Sequence, residues 1–108
     1  MSDPMFSNNL SPAEAERLAL LLEELGEAQQ VIGKIFRHGY ESVNPDLPPP
    51  AGDTNRANLE RELGDVLVAI DFLLDYGDIE QWRLDDRKRV KHHKIWNWLH
   101  HQDPRTKA

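Results

Sequence analysis

Cysteine is absent from this chain of 108 residues, as are long hydrophobic runs and an excess of positive charge. Without cysteine the protein has no disulfide, no thiolate metal site and no cysteine nucleophile. No apolar stretch approaches the roughly 20 residues of a membrane-spanning helix, and the start of the chain lacks a signal-peptide pattern. The net charge of −6 disfavours polyanions. The composition therefore predicts a cytoplasmic protein with no membrane partner and no stable nucleic-acid binding.

Strand-like alternation is also missing, whereas helical apolar patterns are strong. A first helix is predicted to begin at the capping sequence Ser11 to Glu14 and to end before Gly39. The proline-rich segment 41–55 predicts a long, semi-stiff loop. The run Leu18 to Leu22 is apolar on all sides, which predicts burial on more than one side of the helix. The main apolar stripe of this helix contains Leu18, Leu22, Leu25, Ile32 and Phe36.

Two further helices are predicted after the loop. The second covers about 54–76, with a cap at position 53 or 54 and Leu59, Leu63, Val66, Leu67, Ile70, Leu73 and Leu74 on its buried side. The third covers about 79–101, with a capping box formed by Asp78 and Gln81 and a break near 84–86.

The predicted fold class is therefore all-α, a bundle of long antiparallel helices whose first two members form a hairpin. A chain of this size buries a limited core, so we expect the bundle to be completed by oligomerisation, as a homodimer or homotetramer. Residues 1–10 are predicted to be a flexible arm, 11–102 the helical domain and 103–108 a C-terminal tail.

Two matched motifs are the most informative feature of the sequence. Glu24-Leu25-Gly26-Glu27 aligns without a gap with Glu62-Leu63-Gly64-Asp65. Each motif places two carboxylates one helical turn apart on one face, so pairing of the helices would bring four acids together. Each also places a glycine inside a helix, which costs about 1 kcal/mol relative to alanine and indicates close approach of another helix or room for a ligand. A lone E-x-x-E is typically a solvated helix face, but two matched copies favour a function.

The chemistry of these side chains favours a hard cation. Clustered carboxylates repel one another and persist as a group when a cation neutralises them. No histidine follows these acids at the spacing of a diiron bundle, which argues against iron. We therefore expect Mg²⁺ or Mn²⁺, and Mg²⁺ is commonly shared between carboxylates and substrate phosphates. The predicted metal ligands and catalytic residues are Glu24, Glu27, Glu62 and Asp65.

Basic side chains are candidates for phosphate binding. Lys34 lies two helical turns beyond Glu27, and Arg37 and His38 follow it, where the distal phosphates of a metal-bound nucleotide would fall. The alternative is that these residues stabilise a helix C-terminus. Lys88, Lys91 and Lys94 recur at every third position. They form either a solvated basic face or contacts to phosphate. Of the three, Lys91 is retained as a substrate-binding candidate.

At these motifs the chain resembles the MazG-like nucleotide pyrophosphohydrolases, an all-α superfamily that includes dimeric dUTPases and phosphoribosyl-ATP pyrophosphatase. The family pattern is E-x-x-E on one helix and E-x-x-D on the next, matched by Glu24, Glu27, Glu62 and Asp65. The similarity covers roughly residues 11–101. The segment between the two motifs is longer here than is usual in the family, and the excess falls in the proline-rich loop.

This resemblance implies a Mg²⁺-dependent hydrolase that cleaves a nucleoside triphosphate, or a related nucleotide, between the α and β phosphates to give monophosphate and pyrophosphate. It also implies that helices of two subunits pack into one bundle around each site. The residues leave two alternatives open: a non-catalytic helical interaction module, and a nucleotide-sensing relative without turnover. They do not indicate which base or sugar is preferred, or which carboxylate acts as the base.

Overall fold

The computed structural model describes residues 7–50 and 52–103, and all regular elements in these ranges are helical. Helix α1 covers Pro12–His38, α2 covers Asn55–Asp75 and α3 covers Gln81–Lys94, followed by a 3₁₀ turn at Ile95–Asn97. The all-α prediction is thus confirmed for the described residues. Positions 1–6 of the predicted arm and 104–108 of the predicted tail lie outside them.

The ends of α1 follow from its capping residues. The Glu14 backbone N–H donates to Ser11 Oγ at 3.1 Å, and the Ser11 N–H donates to the Glu14 carboxylate at 2.8 Å, which forms the predicted capping box. The helix ends at Gly39, whose φ of 89° is a left-handed value that favours glycine. Both predicted ends of the first helix are therefore confirmed.

Helix α2 is capped by Thr54, whose Oγ1 accepts a hydrogen bond from the Ala57 N–H at 3.1 Å. The helix ends at Asp75, and Gly77 follows with a φ of 79°. This second helix lies close to its predicted range.

Three predictions about α3 are wrong. The helix covers Gln81–Lys94 and not about 79–101, and the 3₁₀ turn at Ile95–Asn97 follows its end. Asp78 does not form a capping box with Gln81, because its carboxylate accepts hydrogen bonds from the Arg17 guanidinium at 2.6 and 2.9 Å, and the residue before the helix, Glu80, makes no side-chain capping bond. The helix is also continuous through 84–86. Its aspartates take part in pairs within the helix, since Asp85 accepts from Gln81 at 3.0 Å and Asp86 from Arg89 at 2.9 Å.

The described residues divide into two compact units, one ending at Asp78 and the other beginning at Ile79. In the first unit α1 and α2 pack against each other. They run in opposite directions, because the start of α1 bonds to the residues after α2 through Arg17 and Asp78, while Asn55 at the start of α2 donates to the Gly39 carbonyl at 3.1 Å. The second unit contains α3 and the 3₁₀ turn. No helix in the described ranges has the length and apolarity needed to cross a membrane.

The contact between α1 and α2 uses only part of the apolar surface of each helix. Its buried apolar side chains are Ala28, Val31, Val66, Ala69 and Leu73. The main stripe of α1 is exposed instead, with Leu22 at 73% and Phe36 at 88%. On α2 the prediction that Leu63 and Leu67 are buried is wrong within this chain, because they are 45% and 62% exposed. The hairpin therefore presents a second apolar surface that its own contact does not cover.

Candidate metal centre and adjoining cavity

The two motifs meet in the middle of the hairpin. Each of the four predicted residues offers one carboxylate oxygen, and these four oxygens all lie within 4.8 Å of one another. Glu24 and Glu62 lie near the contact between the helices, one turn before the buried residues Ala28 and Val66. Asp65 is exposed, which leaves one side of the cluster open to solvent. The four acids Glu24, Glu27, Glu62 and Asp65 are hereafter the carboxylate cluster.

Two oxygens of the cluster are buried without a partner. Glu24 Oε2 and Glu62 Oε2 are shielded from solvent and accept no hydrogen bond. Burial raises the pKa of Glu24, and the neighbouring carboxylates of Glu27 and Asp65 raise it further. Burial likewise raises the pKa of Glu62, with Glu27 contributing next. Buried polar atoms in proteins are almost always satisfied, and either a cation or a proton could satisfy these two oxygens.

The donor set fits a hard divalent cation. The cluster supplies only carboxylate oxygens, the ligands that Mg²⁺ and Mn²⁺ prefer. Four converging carboxylates carry enough negative charge to neutralise one or two such ions, with coordination positions left for water or phosphate oxygens. Glu24, Glu27, Glu62 and Asp65 are the residues that would hold the metal.

The motif glycines are not explained by the packing of α1 on α2. A Cβ added at Gly26 or Gly64 would meet nothing within 4 Å. Neither glycine is therefore needed for close approach of the paired helix. The motif glycines predicted a neighbouring helix or a ligand close to them. Among the described residues of this chain, no atom outside the glycine's own helix segment occupies that space.

A cavity of about 340 Å³ opens beside the end of α1 and the start of α2. Three of its lining residues, Lys34, Arg37 and His38, are the predicted phosphate-binding residues of α1. The proline-rich loop and the start of α2 supply the rest: Ser42, Val43, Asn44, Pro45, Leu47, Asp53, Asn55 and Asn58. A volume of this size matches the lower range of small-molecule sites.

The cavity lies on the side of the hairpin to which the carboxylate cluster opens. Lys34 is two helical turns beyond Glu27 on nearly the same face of α1, a distance of roughly 10 Å along the axis. On the antiparallel helix Asn58 lies one turn before Glu62, and Asn55 one turn before that. Side chains on one face of each helix therefore extend from the carboxylate cluster to the cavity. A ligand with several phosphates could contact both.

Backbone hydrogen bonds hold the cavity wall in place. The Asn55 N–H donates to the Ser42 carbonyl at 3.0 Å, and the Arg56 N–H to the Tyr40 carbonyl at 2.8 Å. Arg56 also pairs with Glu41 at 2.6 Å, and its guanidinium lies 4.4 Å from the centre of the Tyr40 ring. Because these first-turn amides of α2 are already bonded, an anion in the cavity would depend on side chains rather than on the helix N-terminus.

Gly52 is the position at which the loop tolerates no side chain. A Cβ there would overlap the Leu47 carbonyl oxygen and lie 3.3 Å from the Asn44 oxygen. We expect Gly52→Ala to lower the unfolding free energy by about 1 to 3 kcal/mol. It should also weaken the binding of any ligand in the cavity. Gly64→Ala is the control, since open space surrounds it and alanine in a helix gains up to about 1 kcal/mol. Urea unfolding of both variants and of the parent is the measurement. A Gly52→Ala protein as stable as the parent would contradict the close contact between Gly52 and the Leu47 carbonyl.

Lys91 lies in the second unit. With Lys88, His92 and Ile95 it lines a small cavity of about 150 Å³. Its role in substrate binding stays a prediction.

Of the aromatic side chains, Trp82 donates its indole N–H to Glu80 at 2.9 Å, and the Arg83 guanidinium lies 4.6 Å from the centre of the Trp82 ring.

The resemblance also makes residues of the loop at 40–55 candidates for the wall of a base pocket, and Asp53 and Asn55 of that range line the cavity. Sequence reasoning missed Asn58. A signal for it was present, because Asn58 precedes Glu62 by one helical turn and so shares its face.

Comparison with protein families, with curated proteins and with solved structures finds no match to this chain. The two carboxylate motifs and the geometry of the site are therefore the features that bear on function.

Proposed function

We propose that the protein is a Mg²⁺-dependent nucleotide pyrophosphohydrolase, with Mn²⁺ as an alternative ion. The observation that supports this most strongly is the carboxylate cluster, with four oxygens within 4.8 Å of one another and two of its oxygens buried without a hydrogen-bond partner. The resemblance of the motifs to MazG-like enzymes supplies the reaction. The substrate is a nucleoside triphosphate or a related nucleotide, and the products are the monophosphate and pyrophosphate.

The residues have distinct tasks in this reaction. A divalent ion bound by the cluster would activate water and neutralise the charge that develops on the phosphates. One carboxylate of the cluster orients the attacking water or accepts its proton as the oxygen bonds to the α phosphorus. The bond from that phosphorus to the α–β bridging oxygen breaks, and the bridging oxygen leaves with pyrophosphate. Lys34, Arg37 and His38 stabilise the distal phosphates from the cavity, and Lys91 is retained as a further substrate contact.

The proposed assembly is a homodimer or homotetramer in which helices of different copies complete a bundle. The exposed apolar surface of α1 and α2 supports this, because a two-helix hairpin buries too little apolar area to be stable alone. Exposed apolar side chains on this scale are unusual for a monomer.

A screen of nucleotides with detection of released pyrophosphate tests the proposed activity. We expect release in millimolar Mg²⁺ from at least one nucleoside triphosphate, and none once EDTA removes the metal. A protein that binds Mg²⁺ and a nucleotide without release would be the sensing relative. Failure to bind either would identify the non-catalytic interaction module.

A further inference from the structure

The charge of the chain is divided unevenly between its two compact units. Residues 1–78 contain fifteen acids and five Lys and Arg, whereas residues 79–108 contain four acids and eight Lys and Arg. The net charge of −6 therefore comes entirely from the first unit. Exposed charges more than about 10 Å apart are largely screened at physiological salt, so the second unit presents a positive surface in spite of the negative total.

Helix α3 carries much of this positive charge on one side. At 3.6 residues per turn, Arg87, Lys88, Lys91 and Lys94 lie within an arc of about 120° around the helix. All four are exposed, and none of them forms an ion pair within the described residues. These four side chains are hereafter the basic face.

The acids of α3 lie away from the centre of the basic face, by about 120° for Asp85 and about 140° for Asp86. Both acids bond within the helix, since Asp85 accepts from Gln81 at 3.0 Å and Asp86 from Arg89 at 2.9 Å. Arg89 is therefore a useful reference for the basic face, because it is a cation of the same helix that points to the other side and already pairs with an acid.

An exposed aromatic residue follows the basic face. The Trp98 N–H donates to the Ile95 carbonyl at 2.9 Å at the end of the 3₁₀ turn, and side chains three residues apart in such a turn eclipse one another. Ile95 lines a cavity of about 150 Å³ together with Lys88 and Lys91, so Trp98 lies on the side of the basic face, about one turn beyond it. Trp98 is 74% exposed. This side of the unit thus combines four cations with one aromatic ring.

This combination is typical of surfaces that bind single-stranded nucleic acid. Lysine and arginine neutralise the phosphates along a strand, and unstacked bases pack on exposed aromatic rings. A duplex fits less well, because its bases are stacked on one another and do not pack on a side chain.

A membrane surface also fits less well. A helix that lies in the membrane interface needs a continuous apolar face. The apolar residues of α3 are Trp82, Leu84 and Val90, and at helical spacing they point to three different sides. Helix α3 therefore has no side that would enter a lipid layer.

We infer that the second unit binds single-stranded nucleic acid through the basic face and Trp98. The four cations contact phosphates of the strand, and a base stacks on the Trp98 ring. This function goes beyond the proposed hydrolysis of nucleotides. It also differs from the prediction of no stable nucleic-acid binding, which was based on the net charge of the whole chain.

Fluorescence anisotropy of the full chain with a labelled oligothymidylate of about 12 nucleotides tests this inference. EDTA is present throughout, so that the carboxylate cluster holds no metal. Neutralisation of four phosphates predicts that the affinity falls roughly 20-fold as the salt concentration rises from about 50 to 150 mM. Absence of binding at about 50 mM salt and up to about 100 μM protein would overturn the inference.

Arg87→Gln and Arg89→Gln are matched variants, since each removes one positive charge from the same helix. Arg87→Gln should lower the affinity at least about fivefold at 50 mM salt, and Arg89→Gln should stay within about twofold of the parent. In Arg87→Gln/Lys94→Gln two of the four contacts remain, so the same rise in salt should weaken binding only about fivefold. The candidate substrate contact Lys91 is left unchanged. Equal losses in Arg87→Gln and Arg89→Gln would show a response to net charge alone and would overturn the basic face.

Variants of Trp98 test the stacking of a base. Trp98→Ala should bind at least about fivefold more weakly than the parent, and Trp98→Phe, which keeps an aromatic ring, should stay within about threefold. A Trp98→Ala protein that binds as tightly as the parent would contradict the stacking. Equal affinity of the parent for a duplex of the same length would contradict the choice of a single strand.

Two competitors test the nature of the partner. Polyglutamate carries negative charge without bases, and vesicles of phosphatidylserine and phosphatidylcholine present anionic lipid head groups. Each should displace the oligothymidylate at least about tenfold less effectively than unlabelled oligothymidylate of equal total charge. Equal displacement by either competitor would overturn the assignment to nucleic acid.

Glu62→Gln separates this inference from the proposed hydrolysis. Its carboxylate belongs to the cluster of the first unit, so the variant should bind the oligothymidylate within about twofold of the parent. A loss of more than about tenfold would place the strand at the carboxylate cluster and overturn the inference. The binding experiment uses neither metal nor turnover, so its outcome is independent of whether the protein releases pyrophosphate.

Discussion

Glu27→Gln and Asp65→Asn should each lower the rate of pyrophosphate release by at least about 100-fold while leaving the helix content unchanged. Each substitution keeps the size of the side chain but removes a charge that a hard divalent ion requires, and electrostatic stabilisation of the transferred phosphoryl group is commonly the largest catalytic contribution. Steady-state kinetics at saturating Mg²⁺, together with circular dichroism, are the measurements.

The matched control for this prediction is Glu23→Gln. Glu23 is exposed, precedes Glu24 on the same helix and is not part of the carboxylate cluster. It should retain activity within about twofold of the parent, because an exposed charge outside the site contributes little. A folded Glu27→Gln protein that turns over at the parent rate would remove that residue from the site.

Mg²⁺ should raise the melting temperature of the protein substantially. An ion that binds only the folded state adds about 2.7 kcal/mol to the unfolding free energy at 100 times its dissociation constant, which for a domain of this size corresponds to a rise of roughly 10 to 20 °C. Thermal melts with EDTA and with Mg²⁺ are the measurement. Glu24→Gln should reduce the rise, and an unchanged midpoint in the parent would indicate an ordinary surface cluster.

The metal-free protein should also become more stable as the pH falls from neutral toward about 5. Burial and neighbouring acids raise the pKa of Glu24 and Glu62 above their ordinary value of 4.5. A carboxyl whose pKa is higher in the folded state than in the unfolded state binds its proton more tightly when folded, so the folded state is favoured as the pH falls through that range. Asp78 changes the stability in the opposite direction, because hydrogen bonding to Arg17 lowers its pKa. Its contribution to the unfolding free energy is lost only below about pH 4.

Bound Mg²⁺ should reverse the pH trend above pH 5. Protons compete with the ion for the carboxylates, so metal affinity falls as the pH falls. Urea unfolding between pH 7 and 5, with EDTA and with Mg²⁺, should therefore give slopes of opposite sign. Parallel slopes in the two series would show that the raised pKa values and the metal do not involve the same groups.

The parts of this structure that could be predicted from sequence depend on local chemistry. Ser11, Glu14 and Gly39 specify both ends of α1 by hydrogen bonding and backbone conformation within a few residues. Convergence of the carboxylate cluster followed from two further facts, the matched spacing of the motifs and the pairing of consecutive helices.

The parts that could not be predicted depend on contacts between distant residues. Asp78 resembles a helix cap in sequence, but its carboxylate accepts a hydrogen bond from Arg17 near the start of α1, 61 residues away in the chain. Leu67 and Val66 are both apolar neighbours, and only the geometry of the helix pair determines that Val66 is buried and Leu67 exposed. The cavity likewise required the folded loop, because Asn44 and Asp53 reach it through turns that the prolines permit but do not specify.

The central claim is that the carboxylate cluster binds divalent ions through its four oxygens, and an electron paramagnetic resonance titration with Mn²⁺ tests it most directly. The signal of free Mn²⁺ should disappear on addition of the parent protein until the sites are filled, and excess Mg²⁺ should restore it by competition. Glu62→Gln should bind at least about tenfold more weakly, and Glu23→Gln as well as the parent. Free Mn²⁺ that persists at stoichiometric protein, or equal binding by Glu62→Gln and the parent, would contradict the claim.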